Sequence, residues 1–246
     1  MTQLAIIGGT GLTQLSGLTI IKREQLTTPY GSPSADFITG EFNQKPVVFL
    51  ARHGNPHTLA PHKINYRANI WGLKQLGVED IIAVAAVGGI TAAMQPAHIV
   101  IPDQIIDYTY SRKQTFFDNG NYPVKHIDFT FPYSPKLRNA LIAAAGQAGI
   151  TVSGRGTYGC TQGPRLETIA EINRMERDGC DLVGMTGMPE ASLAKELDIN
   201  YASVSVVANW AAGKSEGEIT MPEIEQNLHI GMANTAKLLK AFIELA

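Results

Sequence analysis

Short apolar runs rich in β-branched residues alternate along this chain with stretches of helical periodicity. Residues 4–7, 46–50, 81–87, 98–101, 182–184 and 201–207 read as strands, and residues 65–76, 135–148, 168–178, 189–197 and 222–245 as helices. Several strand candidates are apolar at every position, as in Ile81-Ile82-Ala83-Val84-Ala85-Ala86-Val87. A strand of that kind is covered on both faces, which is the habit of an α/β sheet with helices outside it. Pro135 and Pro222 open their helices, where a missing N–H costs nothing. The least regular stretch, residues 108–134, is rich in aromatic and polar side chains, and a long irregular segment inside a compact domain is usually functional.

Composition narrows the class. A chain of 246 residues, 44% hydrophobic and 17% charged, can bury one sizeable core, so a single domain over residues 1–246 is the expectation. The formal charge of −2 is spread without long runs of one sign, which argues against a nucleic-acid partner and for a small molecule. Cys160 and Cys180 lie in no CxxC pair and read as reduced, buried side chains. The N-terminal Met1-Thr2-Gln3-Leu4-Ala5-Ile6-Ile7 reads as a first strand and not as a signal peptide, and no run is long enough to span a bilayer, so a cytoplasmic location without membrane contact is expected.

Two local motifs carry anion chemistry. Gly8-Gly9-Thr10-Gly11 follows a strand and offers backbone N–H groups and a hydroxyl to a phosphate, or is a plain tight turn. A dinucleotide fingerprint would need glycine at position 14, where Gln14 stands, and this weighs against a nicotinamide-dependent oxidoreductase. Arg52-His53-Gly54 places a planar fork of donors and an imidazole, read as a donor whose charge follows pH, at a strand end. Its bland alternative is a surface arginine beside a satisfied loop histidine.

Further blocks follow in order: His62-Lys63-Ile64-Asn65-Tyr66-Arg67-Ala68-Asn69-Ile70-Trp71, Ala86-Val87-Gly88-Gly89, Gly163-Pro164-Arg165-Leu166-Glu167-Thr168, Val183-Gly184-Met185-Thr186-Gly187-Met188-Pro189-Glu190-Ala191 and Val206-Val207-Ala208-Asn209-Trp210-Ala211-Ala212-Gly213. In order and spacing the chain resembles the trimeric purine-nucleoside phosphorylase and methylthioadenosine phosphorylase family from Ile6 to about Gly213. The resemblance implies one α/β domain with a mixed, partly barrel-like central sheet flanked by helices, assembled as a homotrimer. It also implies phosphorolysis of a purine nucleoside with inorganic phosphate as co-substrate and no metal or organic cofactor. Carried over by position, Thr10, Arg52, His53, the N–H of Ala86 and the Thr186 hydroxyl would bind phosphate, and Met185 and Leu166 would contact the ribose. Two departures are Leu166, where the family usually has phenylalanine, and Ala85, where the methylthioadenosine branch has threonine.

The resemblance implies that the base is read at Glu167, which matches the glutamate of 6-oxopurine enzymes, and at Asn209. A 6-oxopurine presents an N1–H donor and an O6 acceptor, whereas adenine presents an N1 acceptor, so a carboxylate at Glu167 suits the former and repels the latter. The plainer reading makes Glu167 an acid in the first turn of the following helix. Asn209 matches the 6-oxopurine branch; adenine-specific relatives carry aspartate there and again two residues on, where this chain has Ala211. Asn209, bonding O6 and N7 as charge develops on the leaving base, is the leading catalytic candidate, with Glu167 as anchor. His126 aligns with the histidine that a neighbouring subunit brings to the 5′ end in the methylthio branch, and Met221 and Ile224 are candidates for an apolar 5′ pocket. Together these imply phosphorolysis of S-methyl-5′-thioinosine to hypoxanthine and 5-methylthioribose 1-phosphate. Methylthioadenosine, inosine or guanosine as substrate, and a non-catalytic nucleoside-binding protein, are the alternatives.

Overall fold

The computed structural model describes residues 3–12, 14–118, 120 and 123–245. Met1-Thr2 of the N-terminal run, residues 119, 121 and 122 of the irregular stretch, and residue 246 lie outside the described residues. In chain order the first half holds β1 (Gln3–Gly8), β2 (Leu18–Glu24), β3 (Phe37–Phe42), β4 (Lys45–Ala51), α1 (Tyr66–Gln75), β5 (Val78–Gly89), β6 (Ile99–Val100) and β7 (Gln104–Asp107). The second half holds α2 (Pro135–Gln147), β8 (Val152–Ser153), β9 (Thr157–Cys160), α3 (Ile169–Arg177), β10 (Leu182–Gly184), α4 (Gly187–Glu196), β11 (Asn200–Trp210) and α5 (Met221–Leu245).

All five expected helices form, and caps fix three of their starts. Asn65 accepts from the Ala68 N–H, Ser134 from Leu137, and Thr168 shares a reciprocal capping box with Glu171. The six expected strands form too. Those the hydrophobic pattern did not reveal, β2, β3, β7, β8 and β9, are short or lie toward sheet edges. β2 pairs only with β3 and leaves Ile20 and Ile21 exposed, so it lacks the apolar signature of a covered strand.

One mixed α/β sheet results, in the order β2-β3-β4-β1-β5-β10-β9-β7, with β11 along the other edge of β5 and β6 and β8 beyond it. The all-apolar strands are explained by two cores on opposite faces. Ala5, Ile7, Val48, Leu50, Ile81 and Ala83 pack with residues of α1 and α4, while Ile6, Val47, Phe49, Ile82 and Val84 pack with α2 and α5. The strict alternation is the period-two geometry of a strand, and it turns each strand into a wall between two apolar layers. Among the described residues no helix is long and apolar enough to cross a membrane, and both cysteines are buried and free. Among the described residues no helix lies between β1 and β2, where Gly8-Gly9-Thr10-Gly11 stands, so the dinucleotide-binding alternative lacks its structural context.

Candidate active site

The central strand β5 has three neighbours. β11 runs parallel to it over Asp80 to Gly89, whereas the opposite edge is shared between β1, which pairs as far as Ala83, and β10, which pairs at Gly88 and Gly89. Between them residues 84–87 have no strand partner on that edge. Into this split the carboxyl ends of several strands deliver residues: β1 is followed by Gly9 and Thr10, β4 by Arg52 and His53, β10 by Met185 and Thr186, and β11 carries Asn209 as its last residue but one. Ligands of parallel α/β sheets gather at such strand ends. A cavity of about 320 Å³ opens here, and every expected site residue except His126 lines it.

At the inner end Arg52 is almost wholly buried. Its Nε and Nη2 both donate to Glu190 at 2.7 Å, and Nη1 donates to the Val84 carbonyl at 2.8 Å. Tyr201 donates a further bond to Glu190, at 2.8 Å. Burial disfavours the guanidinium charge, but the facing carboxylate more than offsets this and holds the pKa above its ordinary value. Three of the five N–H groups of arginine are thus engaged, leaving two. Gly9 is needed for this approach, since a Cβ there would lie 2.8 Å from Arg52 Nη1 and 2.6 Å from the Val84 oxygen. The N–H and C=O of one strand residue point to the same edge, with alternate residues matching. Because the Val84 carbonyl meets Arg52 inside the split, Ala86 turns its N–H toward the same opening. Thr186 stands at the N-cap of α4 without using its side chain as a cap, so its hydroxyl is left to the cavity.

His53 departs from the sequence expectation. Its Nδ1 lies 2.8 Å from the Leu59 carbonyl, and since a carbonyl only accepts, Nδ1 carries the hydrogen. Burial, with Arg52 adding repulsion, lowers the ring pKa to about 4. The imidazole is therefore neutral near neutral pH and turns an unprotonated Nε2, an acceptor, away from the Leu59 bond. It is not the pH-following donor that the motif suggested.

Glu167 and Asn209 line the same cavity. Glu167 stands one residue before the N-cap Thr168, and the first-turn acid of α3 is Glu171, so the plain helix-cap reading of Glu167 does not apply. The Thr161 hydroxyl donates to Glu167 Oε1 at 2.7 Å. Burial raises the Glu167 pKa, and the Thr161 bond partly opposes that shift. Asn209 is aimed by a β-bulge: Val207 pairs with Val87 and Asn209 with Gly88, leaving Ala208 as the extra residue. Asn227 of α5 donates to the Ala208 carbonyl at 2.9 Å and steadies the bulge. The Asn209 Nδ2 donates one hydrogen to the Trp210 carbonyl at 2.7 Å, which leaves its second N–H and its Oδ1 for a ligand.

Met185 and Leu166 line the cavity too. Gly163, with φ of 61°, brings the base loop so near that a Cβ there would sit 2.4 Å from Met185 Sδ. Ala211 is buried beside Gly88, and Met221, Ile224 and Leu228 line the cavity from successive turns of α5. His126 is exposed and lies outside the cavity of its own chain.

A family profile described as phosphorylase superfamily matches residues 3–244. This chain belongs to that superfamily. The phosphorylase is 57% identical over 245 residues to a Pseudomonas syringae pv. tomato protein named probable S-methyl-5′-thioinosine phosphorylase, an alignment covering 98% of this chain and 100% of that protein. It is 47% identical to the 6-oxopurine nucleoside phosphorylase of Pyrococcus furiosus, over 100% of this chain and 93% of that one. Methylthioadenosine phosphorylase from Schistosoma mansoni, solved with adenine, superposes with a TM-score of 0.94 at 30% identity, covering 100% of this chain and 92% of that one.

Several residues of the phosphorylase site went unread in the sequence. Glu190 had a usable signal, an acid among apolar residues at the start of a buried helix, where a charge must be paired. Thr161 and His57, the latter stacked on His53 with ring centroids 4.4 Å apart, had none. The state of His53 has a measurable consequence. With a folded pKa near 4 the ring gains no proton between about pH 6 and 8, so the KM for phosphate, expressed per hydrogen phosphate, should show no inflection there. An inflection near pH 6.5 that disappears in His53→Asn would overturn this assignment.

Proposed function

We propose that the protein cleaves the glycosidic bond of S-methyl-5′-thioinosine with inorganic phosphate, giving hypoxanthine and 5-methylthioribose 1-phosphate. The observation that carries this reading is the content of one cavity: its lining brings together Glu167 and Asn209, the group Arg52, His53, Ala86 and Thr186, and the apolar side chains Met221, Ile224 and Leu228. The names of the Pseudomonas and Pyrococcus relatives support the 6-oxopurine half of the reading, and the apolar lining contributed by α5 supports a methylthio group. In this proposal the enzyme works as a homotrimer in the cytoplasm, and His126 of the partner subunit completes the 5′ end.

The chemistry follows from the donors. Hydrogen phosphate meets the two remaining Arg52 N–H groups, the Ala86 N–H and the hydroxyls of Thr10 and Thr186, and its own P–OH donates to the bare Nε2 of His53. Glu167 accepts N1–H of the base. As the C–N bond breaks, Asn209 stabilises the electrons that withdraw toward N7 and O6, and a phosphate oxygen forms the new bond to the anomeric carbon. The hydrogen of hydrogen phosphate ends on the released base, so the products balance without a protein nucleophile. Holding both reactants on one axis supplies the remainder of the acceleration.

Product analysis tests this directly. The pure protein is incubated with phosphate and, separately, methylthioinosine, methylthioadenosine, inosine or adenosine. Hypoxanthine forming fastest from methylthioinosine is the expected result. Adenine released at a comparable rate from methylthioadenosine would remove the roles of Glu167 and Asn209, and a preference for inosine would remove the methylthio pocket alone.

A further inference from the structure

Arg112 lies in the irregular stretch 108–134, outside the cavity, and its guanidinium gathers the backbone of both cavity walls. Nη2 donates to the carbonyls of Thr161 at 3.1 Å and Gln162 at 2.9 Å, at the root of the loop that carries Leu166 and Glu167. Nη1 donates to the carbonyls of Met185 at 2.8 Å and Met188 at 2.6 Å, on either side of Thr186. Nε meets the Gln162 side chain at 3.0 Å, and Nη1 also lies 3.3 Å from the Tyr66 hydroxyl. Tyr66 in turn donates to the carbonyl of Pro61, a cavity-lining residue, at 3.0 Å. Met188 is two residues before Glu190, the partner of Arg52.

A rigid planar fork suits this arrangement because it fixes the directions of several carbonyls at once, which a single ammonium cannot do. We infer that Arg112 is a positioning residue for phosphorolysis, holding the base wall and the sugar-phosphate wall at the separation the bound nucleoside requires. The inference rests on the function proposed above for its catalytic consequence, though not for its structural one. Each wall keeps its own ligand groups when Arg112 is lost, so binding of each substrate survives while their mutual alignment does not. Misplacement of about 1 Å costs on the order of 100-fold in rate.

The test is Arg112→Ala and Arg112→Lys in the full-length enzyme, beside Arg138→Lys as a structural comparator. The Arg138 guanidinium also donates to carbonyls, those of Pro102 and Gly154, but away from the cavity. The expected result is a kcat lowered by about 30- to 100-fold in Arg112→Ala with KM values within about threefold, partial return of kcat with added methylguanidinium, and little gain from Arg112→Lys. Arg138→Lys should lower the thermal midpoint and leave kcat unchanged. Backbone hydrogen exchange supplies a readout independent of substrate: residues 161–167 and 185–188 should both exchange faster in Arg112→Ala. Wild-type kcat in the folded variant, or unchanged exchange at both segments, overturns the inference. If the wild type itself releases no base, the proposed function fails while exchange still decides the role of Arg112.

Discussion

Replacing Asn209 with alanine should lower kcat for methylthioinosine by about 100- to 1000-fold with a much smaller change in KM, the signature of a contact made chiefly in the transition state. The structure gives the reason. The bulge at Ala208 shifts the β11 register so that Asn209 pairs with Gly88, which has no side chain, and both residues line the cavity. The amide is held by its bond to the Trp210 carbonyl, so its free N–H and Oδ1 are aimed before the base arrives. Such preorganised donors act on charge that exists only as the glycosidic bond breaks. Steady-state kinetics with both substrates varied is the check, and a variant with unaltered kcat would remove Asn209 from the chemistry.

Replacing Glu167 with glutamine should be nearly as costly for methylthioinosine and should shift selectivity toward methylthioadenosine. The Thr161 hydroxyl donates to Glu167 Oε1, and the same bond in the variant would fix the amide oxygen there and turn the amide NH2 into the cavity. That group opposes the N1–H of a 6-oxopurine and complements the N1 acceptor of adenine. A site built around a substrate hydrogen bond discriminates by about 10⁴-fold or more, so the ratio of kcat/KM values should narrow by on the order of 100-fold or more. Competition between the two nucleosides in one reaction measures that ratio directly. No change in selectivity would mean that Glu167 does not read N1.

These expectations were open to the sequence because the residues behind them sit in compact blocks at strand ends. The covered strands were legible for a related reason: burial on both faces forces runs such as Ile81 to Val87, and the helices showed in their periodicity and in prolines such as Pro135 and Pro222 at their starts. β2 was not legible, since an edge strand with Ile20 and Ile21 exposed has no alternation to read. The residues behind the cavity that escaped attention act through contacts that no motif or periodicity displays. Thr161 orients Glu167, Glu190 reaches back to Arg52, and Arg112 meets carbonyls, which leave no trace in side-chain identity. His53 was found but misread, because its tautomer is set by the carbonyl of Leu59, six residues on.

The split edge of β5 bears on how such a site can change over time. In the proposed function part of the phosphate site is made by the main chain, at the Val84 carbonyl that steadies Arg52 and at the Ala86 N–H, and a backbone group survives substitution of the residue that bears it. The base end is made by side chains, Glu167 and Asn209, which single codon changes can exchange. A lineage built on this sheet can therefore drift from one purine to another while the capacity to use phosphate is inherited with the fold.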